Sequence, residues 1–118
     1  MSEREFDVIV YGATGFTGEL VAAYLLERYG CARELNWAIA GRNAGKLADL
    51  KESLGADAAT LQIVVADSDD SDALAELAAR TRVVLTPVGP YALYGSKLVA
   101  ACVTAGTHYC DLAGEVQW

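Results

Sequence analysis

Three glycines stand at three-residue spacing near the start of the chain, between an apolar run and a segment with helical periodicity. They are Gly12, Gly15 and Gly18. A glycine at the end of a strand allows a positive φ angle, and a glycine in the following turn lets backbone N–H groups approach a phosphate without a Cβ in the way. The positive end of the helix dipole then faces the same anion. The third glycine lets the helix lie close to the strand. The pattern therefore predicts a site for the pyrophosphate of a dinucleotide.

The spacing separates this turn from other phosphate-binding motifs. It is G-x-x-G-x-x-G, with Thr14 where the usual dinucleotide fingerprint has its second glycine, and this variant is common among proteins that use NADP. A P-loop is excluded, because no Gly-Lys-Ser/Thr follows Gly18 and no lysine is available to reach a β- or γ-phosphate. We expect the dinucleotide to contact the whole turn: Gly12, Ala13, Thr14, Gly15, Phe16 and Thr17.

The end of the second predicted strand indicates which dinucleotide is bound. A domain that prefers NAD places Asp or Glu there for the ribose 2′-OH. Here the residues are Gly41 and Arg42. Because a glycine leaves room and a guanidinium pairs with a 2′-phosphate through two parallel hydrogen bonds, NADP is favoured and NAD is the alternative. Asn43 and Lys46 could add donors. The other interpretation is that Arg42 is a solvated turn residue and Lys46 a helix surface charge.

Two further segments follow predicted strands at the same edge of the sheet. Asp67, with Ser68 after it, could accept from the adenine amino group or hold the loop under the adenine, or Asp67 could cap the acidic helix that follows. The loop with Val88, Gly89 and Pro90 leaves the fourth strand where a nicotinamide ring would lie. Its other interpretation is a rigid turn.

The chain offers no clear catalytic group. His108 and Cys110 would share one face of a strand while Asp111 points the other way, so we expect Cys110 to be a packed thiol and not a nucleophile. A short-chain dehydrogenase needs Tyr-x-x-x-Lys, whereas Tyr94 and Lys97 are one position too close. The catalytic residues therefore stay unknown. Asp111 also lies near the sheet edge where ligands bind, as does Glu115 beyond it, and the two could line a substrate pocket, contact a further domain or be structural.

Strand-like and helix-like segments alternate along the chain. Strands are predicted at residues 8–11, 36–40, 61–66, 82–86 and 108–112. Four helices are predicted: one after the glycine turn, one after Asn43, one that begins in the acidic cluster 69–72 and one from residue 94. Gly30, Gly55 and Gly106 are predicted to end the first, second and fourth helix. The apolar residues at helical spacing are Leu20, Val21, Tyr24, Leu25, Leu47, Leu50, Leu54, Leu74, Leu77, Leu98, Val99, Cys102 and Val103. Short connections and right-handed crossovers predict one α/β domain, a doubly wound parallel sheet of order 3-2-1-4-5 with helices on both faces.

Composition bounds the function. The 118 residues are 53% hydrophobic and 21% charged, which is typical of one globular domain. A net charge of −7, from 9 basic and 16 acidic residues, argues against nucleic acid as a partner. No apolar run reaches the length of a membrane span, and the N-terminus is too charged to open a signal peptide, so we expect a cytoplasmic protein. The cysteines, Cys31, Cys102 and Cys110, have neither disulfide nor zinc-site spacing, so reduced thiols and no metal are expected.

Four motifs in order resemble the saccharopine dehydrogenase-like oxidoreductases, which include the trans-acting enoyl reductases that work beside polyketide synthases. The motifs are Tyr11-Gly12-Ala13-Thr14-Gly15-Phe16-Thr17-Gly18, Ala40-Gly41-Arg42-Asn43, Val88-Gly89-Pro90-Tyr91 with Tyr94-Gly95, and Gly106-Thr107-His108-Tyr109-Cys110-Asp111-Leu112-Ala113-Gly114-Glu115. The resemblance covers essentially the whole chain. It implies an NAD(P)-dependent oxidoreductase with an N-terminal Rossmann domain and a longer C-terminal part that carries much of the substrate pocket and the dimer surface.

The resemblance sets the expected function. It implies hydride transfer to or from a carbonyl, imine or enoyl substrate, in which the 118 residues supply the dinucleotide-binding domain. We expect the C-terminal substrate domain to lie beyond residue 118, the chain alone to be inactive, and the protein to form a homo-oligomer. The alternative is a non-catalytic nucleotide-binding or assembly module of the same fold.

Overall fold

The computed structural model describes residues 4–30, 35–67, 69–86 and 92–111. Within these residues strands and helices alternate. They are β1 (Phe6–Tyr11), α1 (Phe16–Tyr29), β2 (Trp37–Gly41), α2 (Ala44–Ser53), a 3-10 turn (Ala56–Ala58), β3 (Gln62–Val65), α3 (Ser71–Ala79), β4 (Thr81–Thr86), α4 (Ala92–Ala105) and β5 (His108–Asp111). The 3-10 turn was not expected, and α4 begins two residues before its predicted start at residue 94. Leu112, predicted to end the last strand, lies outside the described residues.

All described strands pair in parallel, in the order β3-β2-β1-β4-β5. The first strand is central, and its Val8 aligns with Trp37 of β2 and with Val83 of β4. This confirms the predicted order. Because every strand runs the same way, the carboxyl ends of all of them lie along one edge of the sheet, which is where such sheets bind ligands.

Helices cover both faces of the sheet, as predicted. One buried cluster lies between the sheet and the helices α1 and α2, and its members are Val10, Ala13, Ala22, Leu25, Trp37, Ile39, Leu47, Leu50, Ala58 and Leu61. The second cluster lies between the sheet and the helices α3 and α4, and its members are Phe6, Ile9, Ala38, Ala40, Val64, Ala66, Leu74, Leu77, Ala78, Val84, Leu98 and Cys102. The helices α1 and α2 thus cover one face of the sheet, and α3 and α4 cover the other face. This arrangement makes the sheet doubly wound.

Three of the apolar residues at helical spacing are exposed. Leu20 and Tyr24 of α1 are each 57% exposed, and Val103 of α4 is 75% exposed. In α1 the close approach of Gly18 to the turn after β1 selects the face that carries Ala22, so residues two positions away point to solvent. Both helices carry more apolar residues than one face can bury, and the contact with the sheet decides which of them are covered.

The helix ends follow the predicted turn chemistry. Gly30, Gly55 and Gly106 have φ angles of 73°, 91° and 72°, the left-handed region that favours glycine. The side chain of Asn43 accepts from the N–H of Lys46 at 3.0 Å and caps α2 as predicted.

The opposite, amino edge of the sheet is tied together by Arg4. Its guanidinium donates to the carbonyl oxygens of Ala78, Thr81 and Ala105 at 3.1, 2.8 and 2.7 Å. It also donates to Thr107 Oγ1 at 2.8 Å. One side chain thus joins the end of α3, the start of β4, the end of α4 and the segment before β5.

Candidate dinucleotide-binding site

The glycine turn connects β1 to α1 and is anchored on the neighbouring strand. The N–H groups of Gly12 and Ala13 donate to the Ala40 carbonyl of β2, at 2.8 and 3.2 Å. The N–H of Gly15 donates to the Gly12 carbonyl at 3.3 Å. The turn is therefore held by β2 as well as by the two elements that it connects.

Each of the three glycines stands in a different environment. Gly12 has a φ of 85°, which favours glycine. A Cβ on Gly18 would lie 2.7 and 2.8 Å from the backbone Cα and carbonyl carbon of Ala13 and would also collide with the Gly12 carbonyl oxygen. Gly15 has an ordinary extended backbone, and among the described residues its Cβ would meet no non-neighbouring atom closer than 3.7 Å. The packing thus explains Gly12 and Gly18, but it does not explain Gly15.

The first turn of α1 differs from those of α2 and α3. Its N-cap residue is Gly15, and no side chain caps it, whereas Asn43 and Asp70 cap the other two helices. The first N–H groups of a helix carry its positive dipole end and need an acceptor. At α1 a bound anion could supply that acceptor, next to the position where a glycine leaves space.

The end of β2 presents the residues that were predicted to choose the dinucleotide. Gly41 is the last residue of β2, and a Cβ there would make ordinary contacts of 3.7 to 3.9 Å with the side chain of Leu47. The fold therefore accepts alanine at this position. Arg42 is exposed and makes no hydrogen bond or ion pair with the described part of the chain. Lys46 is also exposed, and the side-chain oxygen of Asn43 is engaged in capping α2.

The segment after β3 corrects one interpretation of Asp67. The N-cap of α3 is Asp70, whose side chain accepts from the N–H of Ala73 at 3.1 Å, so Asp67 does not cap this helix. Asp67 stabilises the preceding turn: its Oδ1 accepts from the N–H of Asp69 at 2.9 Å, and its carbonyl accepts from the N–H of Asp70 at 3.0 Å. Its side chain is exposed at the carboxyl edge of the sheet. Ser68 lies outside the described residues.

The strand register brings three of the predicted segments together. Tyr11 aligns with Ala40, and Gly41 aligns with Val65, so the glycine turn, Arg42 and Asp67 follow the ends of three adjacent strands. Neighbouring strands are about 4.8 Å apart, which places the turn and the segment after β3 roughly 10 Å apart across the sheet. The predicted nicotinamide loop, Val88, Gly89 and Pro90, follows β4 and lies outside the described residues.

The last strand, β5, contains His108 and Cys110, which were considered above and rejected as a nucleophile pair. His108 and Cys110 are both exposed, as expected of alternate residues on one face, whereas the prediction of a packed thiol at Cys110 is wrong. Of the two cysteines that the structure describes, Cys102 is the packed one, and burial raises the pKa of its thiol to about 11.

Among the described residues no three His, Cys, Asp or Glu side chains gather as a metal site would require. The spacing of Tyr94 and Lys97 predicted that Lys97 is not the catalytic lysine of a short-chain dehydrogenase. In the structure its amine donates to the carbonyl oxygen of Asp69 at 3.2 Å.

A groove of about 750 Å³ lies elsewhere, between the C-terminal parts of α1 and α2. It is lined by Arg28, Tyr29, Ser53 and Thr60 among others. Both helices end there at the amino edge of the parallel sheet, opposite the glycine turn. In doubly wound sheets, dinucleotides bind at the other edge, so the groove is not the candidate site.

A doubly wound parallel sheet with a glycine turn at its carboxyl edge defines the chain as a Rossmann-type dinucleotide-binding domain. Residues 8–117 match the saccharopine dehydrogenase NADP binding domain family, and the chain belongs to that family. Within the described residues, no helix has both the length and the apolar character needed to cross a membrane.

Relatives named for one activity match nearly the whole chain. A trans-acting enoyl reductase from Mycobacterium tuberculosis is 47% identical over 117 residues, which is 99% of this chain and 27% of the relative. A trans-acting enoyl reductase from Mycobacterium ulcerans is 45% identical over the same share of both chains. The chain thus spans about a quarter of the length of these relatives.

Solved structures share the fold at low sequence identity. Triphenylmethane reductase from Citrobacter sp., in complex with NADP(H), has a TM-score of 0.72 at 22% identity and matches 89% of this chain and 36% of its own. Apo saccharopine dehydrogenase (L-Glu forming) from Saccharomyces cerevisiae has a TM-score of 0.67 at 18% identity and matches 90% of this chain and 21% of its own. At these identities the likeness supports the fold.

Proposed function

We propose that this chain is the NADP(H)-binding part of an oxidoreductase that transfers hydride between the cofactor and an enoyl, carbonyl or imine substrate. The observation that carries the proposal is the turn at Gly15, where the packing does not require a glycine and the adjoining helix end has no side-chain cap. A pyrophosphate there would accept from the first N–H groups of α1. The proposed contacts of the turn are Gly12, Ala13, Thr14, Gly15, Phe16 and Thr17.

The preference for NADP over NAD is assigned to the end of β2. Arg42 is exposed and has no partner among the described residues, so its guanidinium is available for a 2′-phosphate. Gly41 leaves the approach open, and Lys46 adds positive charge one turn into α2. Asn43 acts mainly through its cap, which fixes where α2 begins.

The adenine and nicotinamide ends are assigned to the neighbouring strands. Asp67 is proposed to accept from the adenine amino group, together with Ser68, while Val88, Gly89 and Pro90 are proposed to border the nicotinamide ring. The nicotinamide supplies the hydride, and the protein holds it against the substrate. An enoyl substrate is favoured because the relatives named above are called trans-acting enoyl reductases. Their greater length supports a further substrate domain, and the homo-oligomer stays a prediction.

Calorimetric titration of the purified protein with NADPH and with NADH tests the proposal. We expect NADPH to bind and NADH to bind at least tenfold more weakly, because NADH lacks the 2′-phosphate that Arg42 would pair with. Binding of neither dinucleotide would refute the proposal, whereas a preference for NADH would remove only the assignment of Arg42.

A substitution isolates the role of Arg42. Arg42→Gln should weaken NADPH binding at least tenfold and leave NADH binding unchanged, because the lost hydrogen bonds go only to the 2′-phosphate. Arg28→Gln is the matched control, since Arg28 is also exposed but lies at the C-terminal end of α1, at the other edge of the sheet. The reaction itself is tested by following NADPH oxidation in the presence of an enoyl thioester. This assay uses a protein that also contains the proposed substrate domain.

A further inference from the structure

We propose that the hydroxyl of Tyr11 is a positioning group for the adenine end of the site. The inference rests on the proposed function, because it concerns the same dinucleotide. Tyr11 is the last residue of β1, directly before the glycine turn, and its side chain packs with the cluster that faces α3 and α4. It therefore belongs to the strand that carries the pyrophosphate turn while its ring extends away from that turn.

The ring of Tyr11 reaches two strands away. Its hydroxyl donates to the carbonyl oxygen of Ala66 at 2.8 Å, and Ala66 directly follows β3. Between the two lies β2, whose Ala40 is aligned with Tyr11 and belongs to the same buried cluster. Because alanine is small, a tyrosine ring can pass over β2 at this point, where a larger residue would occupy the path.

The peptide that receives this hydrogen bond is held from both sides. The N–H of Ala66 donates to the Gly41 carbonyl at 2.8 Å, so β2 fixes its donor while Tyr11 fixes its acceptor. The next residue is Asp67, whose side chain and carbonyl accept from Asp69 and Asp70 and so build the turn before α3. Tyr11 thereby links the start of the glycine turn to the segment that presents the Asp67 carboxylate.

This link fixes the spacing between the two ends of the site. A phenylalanine would fill nearly the same volume and keep the apolar packing. The hydroxyl is therefore the part of the side chain that holds the segment after β3, through its hydrogen bond to Ala66. Loss of its hydrogen bond frees the Ala66 carbonyl and loosens the segment that carries Asp67. The pyrophosphate end, which β2 anchors through Ala40, stays in place.

Hydrogen exchange measures the link without any ligand. In Tyr11→Phe we expect the amides of Asp69 and Asp70 to exchange about fivefold faster than in the wild type, the effect of one lost hydrogen bond of ordinary strength. Tyr24→Phe is the matched control, since Tyr24 is 57% exposed on α1 and makes no hydrogen bond within the described residues. Unchanged exchange at both amides in Tyr11→Phe would overturn the inference even if no dinucleotide binds.

A pair of dinucleotides measures the effect on recognition. Reduced nicotinamide hypoxanthine dinucleotide phosphate has the pyrophosphate and the 2′-phosphate of NADPH but lacks the adenine amino group. We expect the wild type to prefer NADPH about fivefold, and Tyr11→Phe and Asp67→Asn each to bring that ratio close to one. A purely structural role would weaken both ligands equally and keep the ratio.

The outcomes separate the two proposals. If the wild type binds neither ligand, the proposed function fails and the adenine-positioning role fails with it, whereas the exchange experiment still tests the link between Tyr11 and the segment after β3. If the wild type binds both ligands equally well, or if Tyr11→Phe keeps the wild-type ratio, the positioning role is wrong while NADP binding stands.

Discussion

Alanine at Gly18 should lower the stability of the fold, whereas alanine at Gly15 should weaken NADPH binding, although the two glycines lie only three residues apart. At Gly18 the added Cβ would lie 2.7 and 2.8 Å from backbone atoms of Ala13. That is about 1 Å closer than a normal carbon contact. Because backbone atoms cannot rotate away, the cost should fall near the upper end of the usual overpacking range, about 3 kcal/mol. The higher helix propensity of alanine returns about 1 kcal/mol.

Gly18→Ala should therefore lower the free energy of unfolding by about 2 kcal/mol. For a domain of this size that corresponds to a fall in Tm of roughly 8 °C. Gly15→Ala should leave the Tm nearly unchanged, because its backbone is extended and its Cβ would come no closer than 3.7 Å to a non-neighbouring atom of the part of the chain that the structure describes. It should instead weaken NADPH binding at least tenfold, since the methyl group would occupy the proposed pyrophosphate position.

Thermal unfolding followed by circular dichroism and calorimetric titration with NADPH, performed on both variants, test this contrast. A wild-type Tm in Gly18→Ala would show that the close approach of α1 to the turn is not as described. Wild-type NADPH affinity in Gly15→Ala would refute the pyrophosphate position, whatever happens to stability.

Four further experiments test other parts of the fold. Arg4→Met should lower the free energy of unfolding in urea by about 3 kcal/mol, because four acceptors lose a charged donor, and Arg28→Met should have little effect. Iodoacetamide at pH 8 should modify Cys110 in the folded protein and spare Cys102, as mass spectrometry of the peptides would show. Since burial raises the pKa of Cys102 from 9.0 to about 11, the stability that this group contributes is complete below pH 9 and is lost as the pH rises toward 11. The loss should reach about 2 kcal/mol and be missing in Cys102→Ala; equal pH dependence of the two proteins would contradict it. Asp70→Ala should cost about 1 kcal/mol by removing the cap of α3, and an unchanged Tm would show that the cap is not needed.

The elements and their order could be predicted because they depend on local signals. Helical spacing of apolar residues, short apolar strands and glycines at helix ends are all visible within a few residues. Right-handed crossovers then restrict how parallel strands can be ordered, and the predicted order 3-2-1-4-5 is confirmed. The reasons given for Gly12 and Gly18 are also confirmed, because a positive φ and a close approach are the two constraints that a glycine meets in a strand–turn–helix unit.

The burial of individual residues was harder to predict. Leu20, Tyr24 and Val103 continue an apolar helical spacing, yet they face solvent. A helix that is apolar on more than one face does not show in its sequence which face meets the sheet. Only the contact between elements decides this, as the approach at Gly18 does for α1.

The sequence by itself determined that this chain is a doubly wound sheet with a glycine turn at its carboxyl edge, because periodicity and turn chemistry are encoded locally. The tertiary structure decided that Asp70 and not Asp67 caps α3, that the described residues impose no packing requirement on Gly15, and that Tyr11 reaches Ala66 across β2. The contact of Tyr11 joins residues 55 positions apart in the chain, and the space at Gly15 depends on how the turn and α1 pack. The cap at Asp70 spans only three residues, and it depends on where the packed helix α3 begins. These arrangements arise only when the strands align in register and the helices pack on the sheet.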